Sequence, residues 1–214
     1  MEILNSEQYI GEKLNIKPIS KDRLAEFDKK PEVDESVKDF IKKFSLVWNP
    51  LTKRYDTDKS VDVDGRVVKN GMLTINFGKI GGNFYCGNNK LTSLKGAPNE
   101  VGGSFYCNHN QLTTLKDAPQ KVGRGFYCSY NILTSLKGAP QEVGEKFDCD
   151  NNRLTSLEGA PQKVGGNFDC SYNKLTSLEG APNEVGDDFY CINNSNLVLP
   201  KEKPSWIKGE LITK

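Results

Sequence analysis

The chain has 214 residues, with 29 Lys and Arg against 28 Asp and Glu and a net charge of +1. That balance provides no basic field of the kind general nucleic-acid binding requires, so no specific nucleic-acid partner is expected. No run of eighteen apolar residues occurs, and the opening MEILNSEQYIGEKLNIKP carries charges where a signal peptide needs an apolar stretch. No membrane partner and a cytoplasmic location are therefore expected.

Residues 1–59 read as a small α+β N-terminal cap, with a separate binding module as the alternative. Two short helices are expected after Ser6 (Ile10, Leu14) and after Ser20 (Leu24, Phe27), divided by Pro18. A stronger helix opens at Asp34-Glu35-Ser36. Val37, Phe40, Ile41 and Phe44 repeat there at the spacing of one helical face, and Lys42 and Lys43 near the end suit the helix dipole. SLVWNPLTKRYDT then reads as a β-hairpin turning at Asn49-Pro50. So few residues with this much apolar surface cannot bury it alone, and the cap is expected to dock on the first repeat.

From about residue 60 the chain becomes periodic. GGNFYCGNNKLTSLKGAPNEV begins at Gly81 and returns from Gly102, Gly123, Gly144, Gly165 and, decaying, Gly186. A fixed period of this kind marks a stack of supersecondary units. Stepping back 21 residues from Phe84, Leu94 and Val101 reaches Val63, Leu73 and Ile80, so a degenerate unit precedes the first clear copy. About seven units are expected over 60–206, the first and last degenerate, followed by a tail at 207–214. Trp206 and Ile207 are the candidates for covering the C-terminal end.

Each unit carries Phe, Cys, Asn, Leu and Leu at fixed offsets, as in Phe105, Cys107, Asn110, Leu112 and Leu115. This is the leucine-rich-repeat pattern with Phe and Cys in the strand positions. Residues two apart on a strand face one side, so Phe and Cys point inward. The asparagines (Asn89, Asn110, Asn131, Asn152, Asn173, Asn194) turn the chain and offer both donors and an acceptor to its unpaired backbone groups. The GAP segments lack a helical period, and their Pro biases the return path toward extended geometry. The expected fold is a leucine-rich-repeat solenoid with parallel strands on its concave face and a mostly extended or turn-like convex side.

NKLTSLKGAP, NRLTSLEGAP and NKLTSLEGAP, with VGGNFYC and VGGNFDC between them, resemble the leucine-rich-repeat proteins of tailed bacteriophages. More distantly they resemble the short repeats of type III secreted bacterial effectors. The resemblance covers about two thirds of the chain and implies the solenoid. One solenoid serves unrelated partners, so it implies far less about function.

Cys86, Cys107, Cys128, Cys149, Cys170 and Cys191 occupy one position in six copies. Parallel side-chain vectors on adjacent strands suit neither a disulfide nor a converging zinc site, so reduced, buried thiols and no metal are expected.

Candidate chemistry lies on the concave face. The outward residue between Phe and Cys reads Tyr85, Tyr106, Tyr127, Asp148, Asp169, Tyr190. Two positions after Cys the ladder reads Asn88, His109, Tyr130, Asn151, Tyr172, Asn193. An aromatic strip of Tyr85, Tyr106, Tyr127, His109, Tyr130 and Ile132 is expected beside an acidic strip of Asp148, Asp150 and Asp169. Tyrosines offer large contact area at low entropic loss, which suits a protein interface. The same residues also favour strands without any ligand.

Catalysis finds little in the pattern: His109 lacks a nucleophile and an orienting carboxylate fixed by motif. Three functions remain from the residues. The preferred one is a non-enzymatic, cofactor-free protein-binding module, phage-encoded and acting on a host protein such as a defence or nuclease component. The others are a carbohydrate or cell-surface binder using the tyrosines, and a small hydrolase using Asp148, Asp169 and His109.

Overall fold

In the computed structural model, residues 23, 25, 26 and 28–214 are described. The helix expected after Ser6 lies outside them, as does most of the one after Ser20, of which Arg23, Ala25 and Glu26 are helical. The chain divides into two compact units, Met1–Glu32 and Val33–Lys214. The second unit carries the repeats, and the helix and hairpin assigned to the cap belong to it.

The helix spans Glu35–Lys43. The Asp34 carboxylate caps it by accepting the Val37 N–H at 2.9 Å, and Val37, Phe40 and Ile41 form its buried face. Val47–Asn49 and Arg54–Thr57 then pair antiparallel, closed at Asn49 and Arg54. The Asn49 side-chain oxygen accepts the Leu51 N–H at 3.1 Å and so shapes the turn.

Two parallel sheets run through the repeats. One stacks eight two-residue strands in sequence order: Val61–Asp62, Phe84–Tyr85, Phe105–Tyr106, Phe126–Tyr127, Phe147–Asp148, Phe168–Asp169, Phe189–Tyr190 and Leu211–Ile212. The other continues from Arg54–Thr57 and Phe77–Ile80 through Glu100–Val101, Lys121–Val122, Glu142–Val143 and Lys163–Val164 to Glu184–Val185. Successive coils therefore cross both sheets, and the second unit is a β-solenoid of about eight stacked turns with very little helix among the described residues.

Between the two strands of a coil the chain turns at glycine. A Cβ at Gly102, Gly123, Gly144, Gly165 or Gly186 would collide with the carbonyl of the glycine one coil earlier. Close approach of successive coils thus demands glycine at this corner. On the second sheet Lys79, Glu100, Lys121, Glu142, Lys163 and Glu184 alternate in charge along neighbouring strands. Lys79 meets Glu100 at 3.1 Å, Lys163 meets Glu184 at 3.3 Å, and Lys208 also pairs with Glu184. Such exposed pairs add only tenths of a kcal/mol each, about 0.2–1, but the pattern keeps like charges off facing positions.

The core is built of ladders. Phe84, Phe105, Phe126, Phe147, Phe168 and Phe189 are fully buried, with successive ring centroids 5.1–5.8 Å apart. Phe77 meets Phe84 at 4.9 Å, and Phe40 of the helix meets Phe77 at 6.2 Å, so the Glu35–Lys43 helix packs on the first coils. At the other end Trp206 sits edge-on to Phe189 at 5.3 Å, and Ile207 is buried against Val185.

Both ends depart from the simple period. In the first coil Val61, not Val63, pairs with Phe84, an offset of 23 residues, and Val63 takes the cysteine position. Residues 207–214, expected as a tail, include Leu211–Ile212, which pairs in parallel with Phe189–Tyr190. Backbone bonds across coils decide these registers, and a two-residue apolar strand carries too little pattern to announce itself.

The asparagines hold consecutive coils together. Asn131 accepts the Leu112 N–H at 3.0 Å and donates to the carbonyls of Cys107 and Cys128 at 3.0 and 3.1 Å. Asn152, Asn173 and Asn194 repeat this arrangement. Removing the buried Asn131 amide leaves the Leu112 N–H unsatisfied, worth about 1–3 kcal/mol, while the Cys107 and Cys128 carbonyls keep the amides of Asn110 and Asn152. Asn131→Ala is therefore expected to lower unfolding free energy by about 2 kcal/mol in urea denaturation, and a loss near zero would show that water replaces the amide.

All six cysteines are buried and free. Burial pushes their thiols up, Cys191 to about 11 and the others further. Since the thiolate is the reactive form, native protein at pH 8 is expected to resist a thiol-titrating disulfide reagent, and all six thiols to react only on unfolding.

A candidate aromatic and acidic binding face

The strand rule places the residue between Phe and Cys on the outer side of the Phe-bearing sheet, and the next outward residue follows Cys. Tyr85, Tyr106 and Tyr127 stack face to face, with centroids 4.7 and 4.6 Å apart and planes within 12° and 3° of parallel. Asn83 donates to the Tyr85 hydroxyl at 2.7 Å. At Gly125 a Cβ would strike the Tyr127 ring, so glycine makes room for that ring to lie across the sheet.

A second, shorter column stands at the turn. His109 and Tyr130 stack at 4.4 Å and 13°. Both backbones are left-handed, with φ of 53° and 51°, as are those of Asn88, Asn151, Tyr172 and Asn193 in the same row. Asparagine and histidine tolerate that region, whereas a tyrosine is strained in it. Two of the six units, at Tyr130 and Tyr172, thus hold a tyrosine where the backbone favours asparagine. Tyr130 and Tyr172 are each about half exposed, at 49% and 52%.

The acidic strip is not a bare cluster. Lys146 bridges Asp148 at 3.1 Å and Asp169 at 3.3 Å. Asp150 accepts from the Asn151 amide at 2.6 Å and donates its N–H to Asp148 at 3.3 Å. Burial pushes the Asp148 carboxyl up to about 6, against the pull of Lys146 and with help from Asp150 and Asp169. Burial likewise raises the Tyr127 hydroxyl, and its hydrogen bond to Asp188 raises that of Tyr190.

The structure brings Tyr85, Tyr106 and Tyr127 into one column, His109 and Tyr130 into another, and Asp148, Asp150 and Asp169 around Lys146. Tyr190 is set apart from the tyrosine column by the two aspartates and bonds Asp188 at 3.1 Å. Ile132 does not join the aromatic strip. It lies past the asparagine corner, half-buried, in the row of Gln111, Arg153 and Lys174 that pairs with the preceding coil's leucines.

Sequence reasoning missed Lys146 and the floor residues Gly87 and Asn108. With Asp62, Asn88, Tyr85 and Tyr106, these two line a shallow groove. Reading every outward row at the 21-residue period would have found them. Among the described residues no group of three His, Cys, Asp or Glu side chains is placed to hold a metal ion. None of their helices is long and apolar enough to cross a membrane.

Comparison with family models, with curated proteins and with solved structures gives no match to this chain.

A carboxyl whose folded pKa lies above its unfolded value binds more protons in the folded state between the two values. Stability is then fullest below the unfolded pKa near 4 and declines as pH rises toward 6. The decline from Asp148 is expected to be about 3 kcal/mol. Asp148→Asn, which mimics the neutral form while Lys146 keeps Asp169, is expected to abolish it in urea denaturation across pH 4–7.

Proposed function

We propose that the protein is a non-enzymatic binding module, a solenoid of the leucine-rich-repeat type that engages another protein through the outer side of its Phe-bearing sheet. The Phe, Cys, Asn and Leu spacing supports that type, and the likeness of its repeats to those of tailed phages supports a phage-encoded protein acting on a host partner in the bacterial cytoplasm. The observation that carries the reading is the pair of stacked aromatic columns on one accessible face, Tyr85–Tyr106–Tyr127 and His109–Tyr130. Pre-stacked rings lose little entropy on binding, and retaining Tyr130 at a left-handed backbone position is a local strain that packing alone does not require.

The stacking geometry favours a protein over a sugar. Rings packed face to face present edges and hydroxyls outward, whereas a sugar needs an open ring face. The Lys146 bridge likewise occupies Asp148 and Asp169, which weighs against hydrolysis by that pair.

The test is capture of partners from bacterial lysate by the parent, by Tyr106→Ala/Tyr127→Ala, and by Lys121→Ala on the other sheet. The double tyrosine variant is expected to bind the captured protein at least tenfold more weakly, about 1.4 kcal/mol or more, with Lys121→Ala unchanged. Equal capture by all three removes the aromatic face from the interface.

A further inference from the structure

Between the two aromatic columns runs a floor of small residues, Gly87, Asn108 and Ser129, one from each successive coil. Tyr85 and Tyr106 stand on one side of it and Asn88 on the other; at its first end Asp64 takes the floor position, and Asp62 lines the groove as the continuation of the tyrosine row. Gly87 is needed beneath the groove because a Cβ there would crowd the Asn108 carbonyl and its side-chain oxygen at 2.9 and 3.1 Å. One coil beyond Ser129 the floor position is Asp150, which closes the other end.

The charges divide unevenly. Asp64 is held by Arg66 at 2.6 Å, and Asp148 and Asp169 share Lys146. Asp62 and Asp150, at the two ends, have no cationic partner among the described residues. The side-chain amides of Asn88 and Asn108 have no hydrogen-bond partner among the described residues either. The interior strands are already paired on both edges, so a ligand cannot add as a further strand and must lie across them.

From this geometry we propose that the groove binds an extended, cationic polypeptide segment running along the stack axis, with one basic side chain at Asp62 and a second at Asp150. The amides of Asn88 and Asn108 and the tyrosine edges meet its backbone between them. Asp62 and Asp150 are four coils apart, which at the strand spacing is about 20 Å. An extended chain advances about 3.3 Å per residue, so the two basic residues stand about six positions apart. The inference rests on the interaction-module reading and gives that same face its partner chemistry.

The test uses two end-blocked Gly-Ser-Ala peptides of one composition, with two arginines either six positions apart or adjacent, and fluorescence anisotropy with the full chain. The spaced peptide is expected to bind at least fivefold more tightly and to weaken as salt rises from about 50 to 300 mM. Asp62→Asn and Asp150→Asn are each expected to remove that preference, with the circular dichroism of the parent retained. Equal binding of the two peptides, no binding of either, or variants indistinguishable from the parent would overturn the assignment. If the peptides fail while Tyr106→Ala/Tyr127→Ala still loses its captured protein, the cationic partner falls and the interaction module stands. If that variant keeps its partner, the module reading falls, and a spacing preference lost in Asp62→Asn and Asp150→Asn still upholds the groove.

Discussion

Everything else in this solenoid depends on one amide serving two coils. Each buried asparagine closes its own turn by donating to the carbonyl of its own cysteine, and it ties the preceding coil by accepting a leucine N–H and donating to that coil's cysteine carbonyl. For one planar amide to reach all three, successive coils must have the same length. The 21-residue period is constant where the ladder runs. It drifts to 23 at the first coil, where Val61 pairs with Phe84, and to 22 at the last, where Phe189 pairs with Leu211. Arg66, bound to Asp64, stands near the missing asparagine of the first coil.

Equal coils convert sequence position into spatial row. Inward rows become phenylalanine, cysteine and leucine ladders, and the corner row becomes glycine because the backbone of one coil touches that of the next. Only outward rows are free to vary, and variation there has two different uses. On the second sheet it alternates lysine with glutamate and so keeps like charges apart. On the Phe-bearing sheet it places tyrosine between Phe and Cys in the first three clear copies and aspartate in the fourth and fifth.

The change from tyrosine to aspartate at the fourth and fifth clear copies is a packing problem with a local solution. Two carboxylates in one row of adjacent strands repel at short range, and Lys146, arising from the row before Phe147, lies between them. Desolvation still outweighs that attraction at Asp148, whose raised pKa records a charge held where water is scarce. The neighbouring Tyr127 ring ends the aromatic column at this point, so apolar and charged regions of the face meet at one coil.

The sequence by itself determined whatever is local or periodic. Asp34 before an apolar helical face gave the helix, Asn49-Pro50 the hairpin, and the recurrence of Phe, Cys, Asn and Leu the buried rows, because each depends on spacing along the chain. It also gave the candidate rows of tyrosine and aspartate. Only the tertiary structure decided the second parallel sheet, the register of Val61, the strand at Leu211–Ile212 and the departure of Ile132 from the aromatic strip. Those features rest on hydrogen bonds between residues about twenty positions apart. The Lys146 bridge, the stacking of His109 on Tyr130 and the groove over Gly87 and Asn108 were likewise decided by side chains from different coils meeting in space, a meeting the period permits but does not specify.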